Sequence, residues 1–272
     1  MTKMLIPTQR LAWATDWHLN FLRPSAREQF IQQVAQTEAD VFAITGDISD
    51  GDNLENDFLC IGKHITKPVF VLLGNHDRYH TSFAAAEDIV RRVTSQHPHI
   101  HRLTGDELVE LIPQTALLGV DGWADGTAGA GPASSVTLND SFLIHDFAVL
   151  PRELQWLKMR ELAEAYTTAI APTLNEAMGR YANVLLLTHV PPLPEATWHE
   201  GRHSDDEYLP HFCNTALGQV LREACRRFPD SKLTVLCGHT HGEGVHRESN
   251  LNVFTAPAEY RAPRIDRVIQ ID

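Results

Sequence analysis

The sequence predicts an α/β fold, and three observations carry the prediction. Apolar runs rich in Val, Leu and Ile recur along the chain, amphipathic stretches with helical spacing lie between them, and several of the runs stop abruptly at polar residues. A continuous apolar run reads as a strand covered on both faces, and strand–helix alternation reads as buried sheets with helices outside.

The strand candidates are RLAWATD (10–16), DVFAITGD (40–47), PVFVLLGNHD (68–77), TALLGVDGW (115–123), NVLLLTHVPP (183–192) and KLTVLCGHTH (232–241), with LNVFTAPAEY and RVIQID closing the chain. Between them, SAREQFIQQVAQTE opens with Ser25 and carries Glu28 three residues on, the signature of a capping box. NLENDFLCIGKHI places Leu54, Phe58, Ile61 and Ile65 on one stripe, and SFAAAEDIVRRVTSQ follows the third strand. LPRELQWLKMRELAEAY starts with Pro151 at a first helical position, and Pro172 is expected to break or kink its continuation. TALGQVLREACRRF spaces Leu217, Val220, Leu221, Ala224 and Phe228 helically. The stretch 151–180 reads as a covering helical layer. DGTAGAGPASS (125–135) is loop-like but short, and no repeat, low-complexity tract or long linker divides the chain, so 1–272 is expected to form one domain.

With 272 residues, 43% of them hydrophobic, the chain can bury a substantial core. It has no run of eighteen apolar residues and its N-terminal stretch has no long apolar segment, so neither a membrane span nor a secretory signal is expected. Cys60, Cys213, Cys225 and Cys237 show no paired metal spacing, which points to reduced thiols in the cytoplasm. A formal net charge of −12 repels nucleic acid and anionic membranes, so an anionic substrate needs a locally positive site. The 15 histidines call for a purpose.

The strand ends supply one. They read Asp16-Trp17-His18, Gly46-Asp47, Gly74-Asn75-His76-Asp77, Thr188-His189 and Gly238-His239-Thr240-His241. Functional groups gather beyond the carboxyl ends of strands in open α/β sheets, so these segments are expected to converge. Carboxylate and imidazole suit Mn²⁺, Fe²⁺, Co²⁺ and Zn²⁺. Residues i and i+2 of an extended segment share a face, so Asp16 and His18 reach one ion together. A lone strand-end His or a lone Gly-Asp is usually a surface residue or a turn, but five such ends in order are not accounted for that way.

The series D-x-H, G-D, G-N-H-D, H and G-H-x-H resembles that of the calcineurin-like metallophosphoesterases, with every position filled between residues 16 and 241. It is also similar to the bacterial branch that includes class III cyclic-nucleotide phosphodiesterases. The resemblance implies a four-layer α/β/β/α sandwich of two mixed sheets with helices outside. It implies two divalent ions (Mn, Fe, Zn or Co), one held by Asp16, His18 and His241, the other by Asn75, His189 and His239, with Asp47 bridging. His76 is then the general acid and Asp77 the group that orients its ring. The implied reaction is hydrolysis of a small phosphomonoester or phosphodiester by direct attack of a metal-bridging hydroxide. Two ligand carboxylates and one hydroxide against two divalent cations leave a positive excess of one charge, which attracts phosphate.

Other residues read more plainly. Asp50 and Asp52 are solvated loop residues. Asp121 and Asp125 either line the pocket or make a turn. Arg78 either touches phosphate or makes a surface salt bridge, Cys237 is a buried apolar residue, and the remaining histidines, including the alternating His97, His99 and His101, are surface or core residues. The long segment 191–212 after His189 either folds over the metals or merely joins a strand to a helix. A nuclease of the same superfamily is a competing reading, opposed by the net charge and the lack of a Lys/Arg cluster. A non-catalytic scaffold is another, opposed by the full motif set.

Overall fold

The computed structural model describes residues 3–271. In chain order its strands are β1 (Lys3–Leu5), β2 (Arg10–Ala14), β3 (Val41–Thr45), β4 (Val69–Leu72), β5 (Ile100–Arg102), β6 (Leu108–Ile112), β7 (Thr115–Gly119), β8 (Asn183–Leu187), β9 (Trp198–His199), β10 (Arg202–His203), β11 (Lys232–Cys237), β12 (Gly244–Glu248), β13 (Leu251–Thr255) and β14 (Arg267–Gln270). The helices are α1 (Pro24–Ala35), α2 (Leu54–His64), α3 (Phe83–Gln96), α4 (Asp140–Leu143), α5 (His145–Ala148), α6 (Arg152–Arg180), α7 (Leu209–Phe212) and α8 (Thr215–Arg227).

One sheet orders its strands β14-β2-β3-β4-β5 and the other β1-β6-β7-β8-β11-β13-β12. The strands that lead to the polar motifs are parallel to their neighbours: β2 with β3, β3 with β4, and β8 with β11. Alternation along each strand sorts the core into layers. Leu11, Trp13, Val41, Ala43, Phe70 and Leu72 of the five-stranded sheet meet Leu117, Leu185, Leu187 and Leu236 of the other between the sheets. Ala12, Ala14, Phe42, Ile44 and Val71 face outward onto Ile31 of α1, Phe58 and Ile61 of α2, and Val90 of α3. Leu118, Val184, Leu186, Val235 and Cys237 face outward onto Ile170, Leu174 and Ala177 of α6 and Leu217, Leu221 and Ala224 of α8. The result is the four-layer α/β/β/α sandwich.

Local details depart from the sequence expectations in two places. The Ser25/Glu28 capping box does not form, because Pro24 occupies the first turn of α1 behind the N-cap Arg23. Glu28 instead accepts from Lys63 at 2.9 Å and lies 2.9 Å from His64 Nε2 on α2. Pro172 neither ends nor begins a helix, since α6 runs through it for 29 residues. An interior proline costs about 3 kcal/mol. Burial of Ile170, Leu174, Ala177 and Met178 against the sheet offsets that, at roughly 1.5–3 kcal/mol for each large side chain. The short or polar strands β1, β5, β6 and β12 carry no continuous apolar run and are legible only through their pairing.

Candidate metal centre

Five loops leave the carboxyl ends of β2, β3, β4, β8 and β11 and meet where the two sheets lie side by side. Asp16, His18, Asp47 and His241 form one group, their ligand atoms all within 4.8 Å of one another. His18 Nε2 lies 3.0 Å from His241 Nε2, and His241 Nε2 lies 3.4 Å from Asp16 Oδ1. A second group adjoins it: Asn75 Oδ1 is 3.2 Å from His189 Nε2 and 3.0 Å from His239 Nδ1. Asp47 stands between the groups, with Oδ1 3.4 Å from His189 Nε2 and Oδ2 3.9 Å from His18 Nε2. His76 sits at the half-buried rim, its ring 4.4 Å from that of His18.

The loops hold this geometry by unusual backbone. Asp16, His18, Asp47, His239 and His241 all have positive φ, between 44° and 71°. Non-glycine residues in that region cost of order 1–3 kcal/mol each and cluster at functional sites. Asp16 and His18 therefore share a target through this turn and not through the i, i+2 alternation of an extended segment. Two glycines make the close approach possible. A Cβ at Gly74 would stand 2.0 Å from Asp47 Oδ1, and one at Gly238 would stand 2.1 Å from Asp16 Oδ2.

Surrounding groups fix each donor. His189 Nδ1 lies 2.8 Å from the Thr45 carbonyl, which only accepts, so Nδ1 carries a proton and Nε2 is the nitrogen aimed at the centre. His239 uses the opposite tautomer: Nε2 donates to the His211 carbonyl at 3.0 Å and leaves Nδ1 free toward Asn75. Asn75 Nδ2 donates to Asp140 Oδ1 at 2.8 Å, which aims the amide oxygen at the two histidines. Asp16 accepts from the Thr15 hydroxyl at 2.6 Å and from the His239 N–H. The His76 N–H donates to Asp47 Oδ1 at 2.8 Å.

Charge follows the same pattern. Burial disfavours ionisation of Asp16, but the His241 hydrogen bond and the nearby imidazoles hold its carboxyl at about 2. Asp47 is likewise driven well below the carboxylate range, burial being overcome by His189 and His76. Burial pushes His18 down to about 3 and His239 to about 4. Burial also opposes protonation of His189, yet the Asp47 carboxylate lifts it to about 10. Two buried carboxylates held ionised among imidazoles whose free ring nitrogens face one another suit a divalent cation of borderline softness.

The profile of the calcineurin-like phosphoesterases matches residues 9–243. The chain belongs to the calcineurin-like phosphoesterase family. As a family member it is a metal-dependent phosphoric ester hydrolase. Its structure is similar to that of a phosphopantetheinyl hydrolase from Mycobacterium tuberculosis, with a TM-score of 0.67 at 13% identity over 98% of this chain and 96% of that one. A dimetal phosphatase from Danio rerio gives a TM-score of 0.56 at 15% identity over 92% and 87% of the two chains. The Thermus thermophilus protein TT1561 gives 0.52 at 14% identity over 92% and 89%. At these identities the likeness is one of fold. No curated protein matches by sequence. No described helix is long and apolar enough to cross a membrane.

Within this phosphoesterase the structure corrects several residue readings. Asp77 does not hold the His76 ring. Its carboxylate accepts from the backbone N–H groups of Ser49 and Gly74, both at 2.8 Å, and braces the loop. Arg78 is no surface ion pair. It is fully buried and donates to the Gly74 carbonyl and, at 2.6 Å, to Asp121 Oδ2. Asp121 is buried and accepts from Arg78, Arg102 and the Leu73 N–H. Asp125 accepts from Thr215 and the Ala216 N–H at the start of α8. Neither lines the pocket. Segment 191–212 contains the β9–β10 hairpin, and His199 Nδ1 contacts the Thr240 carbonyl at 3.0 Å, so it packs on the loop that carries His239 and His241.

The sequence misses Asp140, Tyr79 and Tyr260. Asp140 lies 65 positions from Asn75 in a polar stretch without periodicity. Tyr260 touches the rings of His18, His76 and His241 and follows β13 without a motif to mark it.

Proposed function

We propose that the enzyme hydrolyses a small phosphomonoester or phosphodiester with two divalent cations, Asp16, His18 and His241 holding one, Asn75, His189 and His239 the other, and Asp47 shared. The observation that carries this reading is the split aim of the Asp47 carboxylate, one oxygen toward His189 and the other toward His18. Divalent cations held by these residues would supply Lewis-acid stabilisation of the phosphoryl oxygens and lower the pKa of a bound water.

The chain's own groups do the rest. Thr45, His211 and Asp140 fix the tautomers and the amide orientation, so free donor atoms face the centre without reorganisation. His76, tethered through its N–H to Asp47, delivers a proton to the leaving oxygen. Asp77 contributes through the loop backbone. The imidazole–carboxylate donor set favours Mn, Fe, Zn or Co. The four thiols are free, in keeping with a cytoplasmic enzyme. Motifs from both sheets build one centre, which supports a single domain over 1–272. A nuclease role is disfavoured by the charge of −12, and a scaffold role by the complete donor set.

The test is elemental analysis of the purified protein, followed by chelation and reloading with Mn²⁺, Fe²⁺, Co²⁺ or Zn²⁺. Each form is assayed on nitrophenyl mono- and diesters, cyclic nucleotides and a phosphopantetheine-bearing diester. Two metals per chain with metal-dependent hydrolysis are expected. A protein that takes up no metal and hydrolyses none of these esters would sink the reading.

A further inference from the structure

Two aromatic side chains at the mouth of the centre are left without a role by the chemistry above. Phe21 follows β2 and is 43% exposed; Tyr260 follows β13 and is 46% exposed. Their ring centroids lie 4.8 Å apart at 56°. The Tyr260 ring is 4.7 Å from His18, 5.1 Å from His241 and 6.2 Å from His76. Phe21 reaches His18 at 6.2 Å. Two half-exposed rings from segments far apart in sequence thus form one apolar wall against the first ligand group, on the side where His76 stands.

We propose that this wall receives a planar ring carried by the alcohol side of the substrate, so that Tyr260 and Phe21 select aromatic over aliphatic leaving groups. The placement argues for the leaving side. His76 is the proton donor to the departing oxygen under the function proposed above, on which this inference rests. Whatever is attached to that oxygen lies beside His76, and Tyr260 is the exposed apolar surface there. Aromatic faces pair with flat π-systems in offset or edge-on geometry, which an aliphatic ring cannot match. Stacking of a planar ring on a tyrosine needs no hydrogen bond, in keeping with a pair whose second member is phenylalanine.

The test uses benzyl and cyclohexylmethyl esters of phosphate, whose leaving alcohols are similar in basicity and differ in ring planarity. The matching benzyl and cyclohexylmethyl phosphonates, which do not hydrolyse, report binding by calorimetry on the metal-loaded enzyme. Wild type is expected to favour the benzyl member about tenfold in both affinity and kcat/KM, the size of one stacking contact. Tyr260→Ala should abolish most of that preference with metal content unchanged, Tyr260→Phe should keep it, and Phe21→Ala should reduce it. Equal binding of the two phosphonates by wild type overturns the proposal, as does a preference that survives Tyr260→Ala. Loss in Tyr260→Phe equal to that in Tyr260→Ala also overturns it, since the hydroxyl would then be the recognition group. Absence of metal uptake together with absence of hydrolysis would remove the phosphoesterase assignment of the centre and this proposal with it. Metal uptake and hydrolysis without a benzyl preference would remove this proposal alone.

Discussion

His18 and His241 stand 223 positions apart in the chain, and their Nε2 atoms are 3.0 Å from each other. Neither nitrogen has a carbonyl partner among the described residues. Both aim at the space bounded by Asp16 and Asp47, and that convergence is the basis for the expectations below.

Asp47 is the shared carboxylate, so Asp47→Ala should release both cations. The loss in metal affinity should exceed about 100-fold, beyond the 10–100-fold typical of outer partners. Asp16→Asn should weaken one cation and retain the other. Metal stoichiometry by elemental analysis checks both, and two metals retained in Asp47→Ala would remove Asp47 from the shared position.

Metal uptake should improve as pH rises. His189 in the metal-free protein holds its proton up to about 10, with Asp47 overriding burial, against an ordinary value of 6.5. His241 is also raised, burial being outweighed by Asp16. Each must lose that proton to bind a cation. A raised folded-state value stabilises the metal-free fold fully below pH 6.5, and that contribution fades as pH climbs toward 10. Binding at neutral pH should thus release protons, and affinity should already be falling as pH drops below about 10, where His189 takes up its proton. Calorimetry in buffers of different ionisation enthalpy measures the protons released. Zero release at neutral pH, or affinity that falls as pH rises, contradicts this assignment.

His76→Ala should keep both metals and lose activity according to the leaving group. A general acid contributes about 10²–10⁴-fold when the departing oxygen is basic. The loss should approach that range on alkyl or nucleoside esters and be much smaller on a nitrophenyl ester. Equal losses on both would mean that His76 acts on phosphate charge. Loss of metal would make it a ligand.

Arg78→Ala should cost stability before it costs chemistry. The buried guanidinium binds the Gly74 carbonyl, Asp121 and, at 3.3 Å, the Tyr166 hydroxyl. Breaking a buried ion pair typically costs about 3–5 kcal/mol. Arg102 still reaches Asp121 at 2.6 Å, which places the expected loss at the lower end of that range. Denaturant unfolding measures it. A loss under about 1 kcal/mol would show that Arg102 alone satisfies Asp121.

His199→Ala should loosen the loop of His239 and His241, because it removes the contact to the Thr240 carbonyl between them. Metal affinity should drop about tenfold. Unchanged affinity, with altered relative rates across the ester panel, would instead give the hairpin a role in substrate choice.

The sequence by itself determined the family, the layered α/β fold and the candidate donor atoms. Those signals are local: an apolar run, then polar metal-binding residues, repeated at five strand ends and introduced by Gly at three of them. A strand's apolar run and the groups at its mouth are neighbours in the chain, so pattern alone reveals them. Only the tertiary structure decided the rest. The left-handed turns at Asp16 and His18, the burial of Arg78 on Asp121, the turn of Asp77 toward Ser49 and Gly74, and the aim of Asp140 at Asn75 all depend on atoms contributed by other loops. Tyr260 reaches the centre because the antiparallel β12–β13 pair brings the chain back from the sheet edge to lie beside β11. A side chain's environment is set by what packs against it across the fold, and no local spacing encodes that.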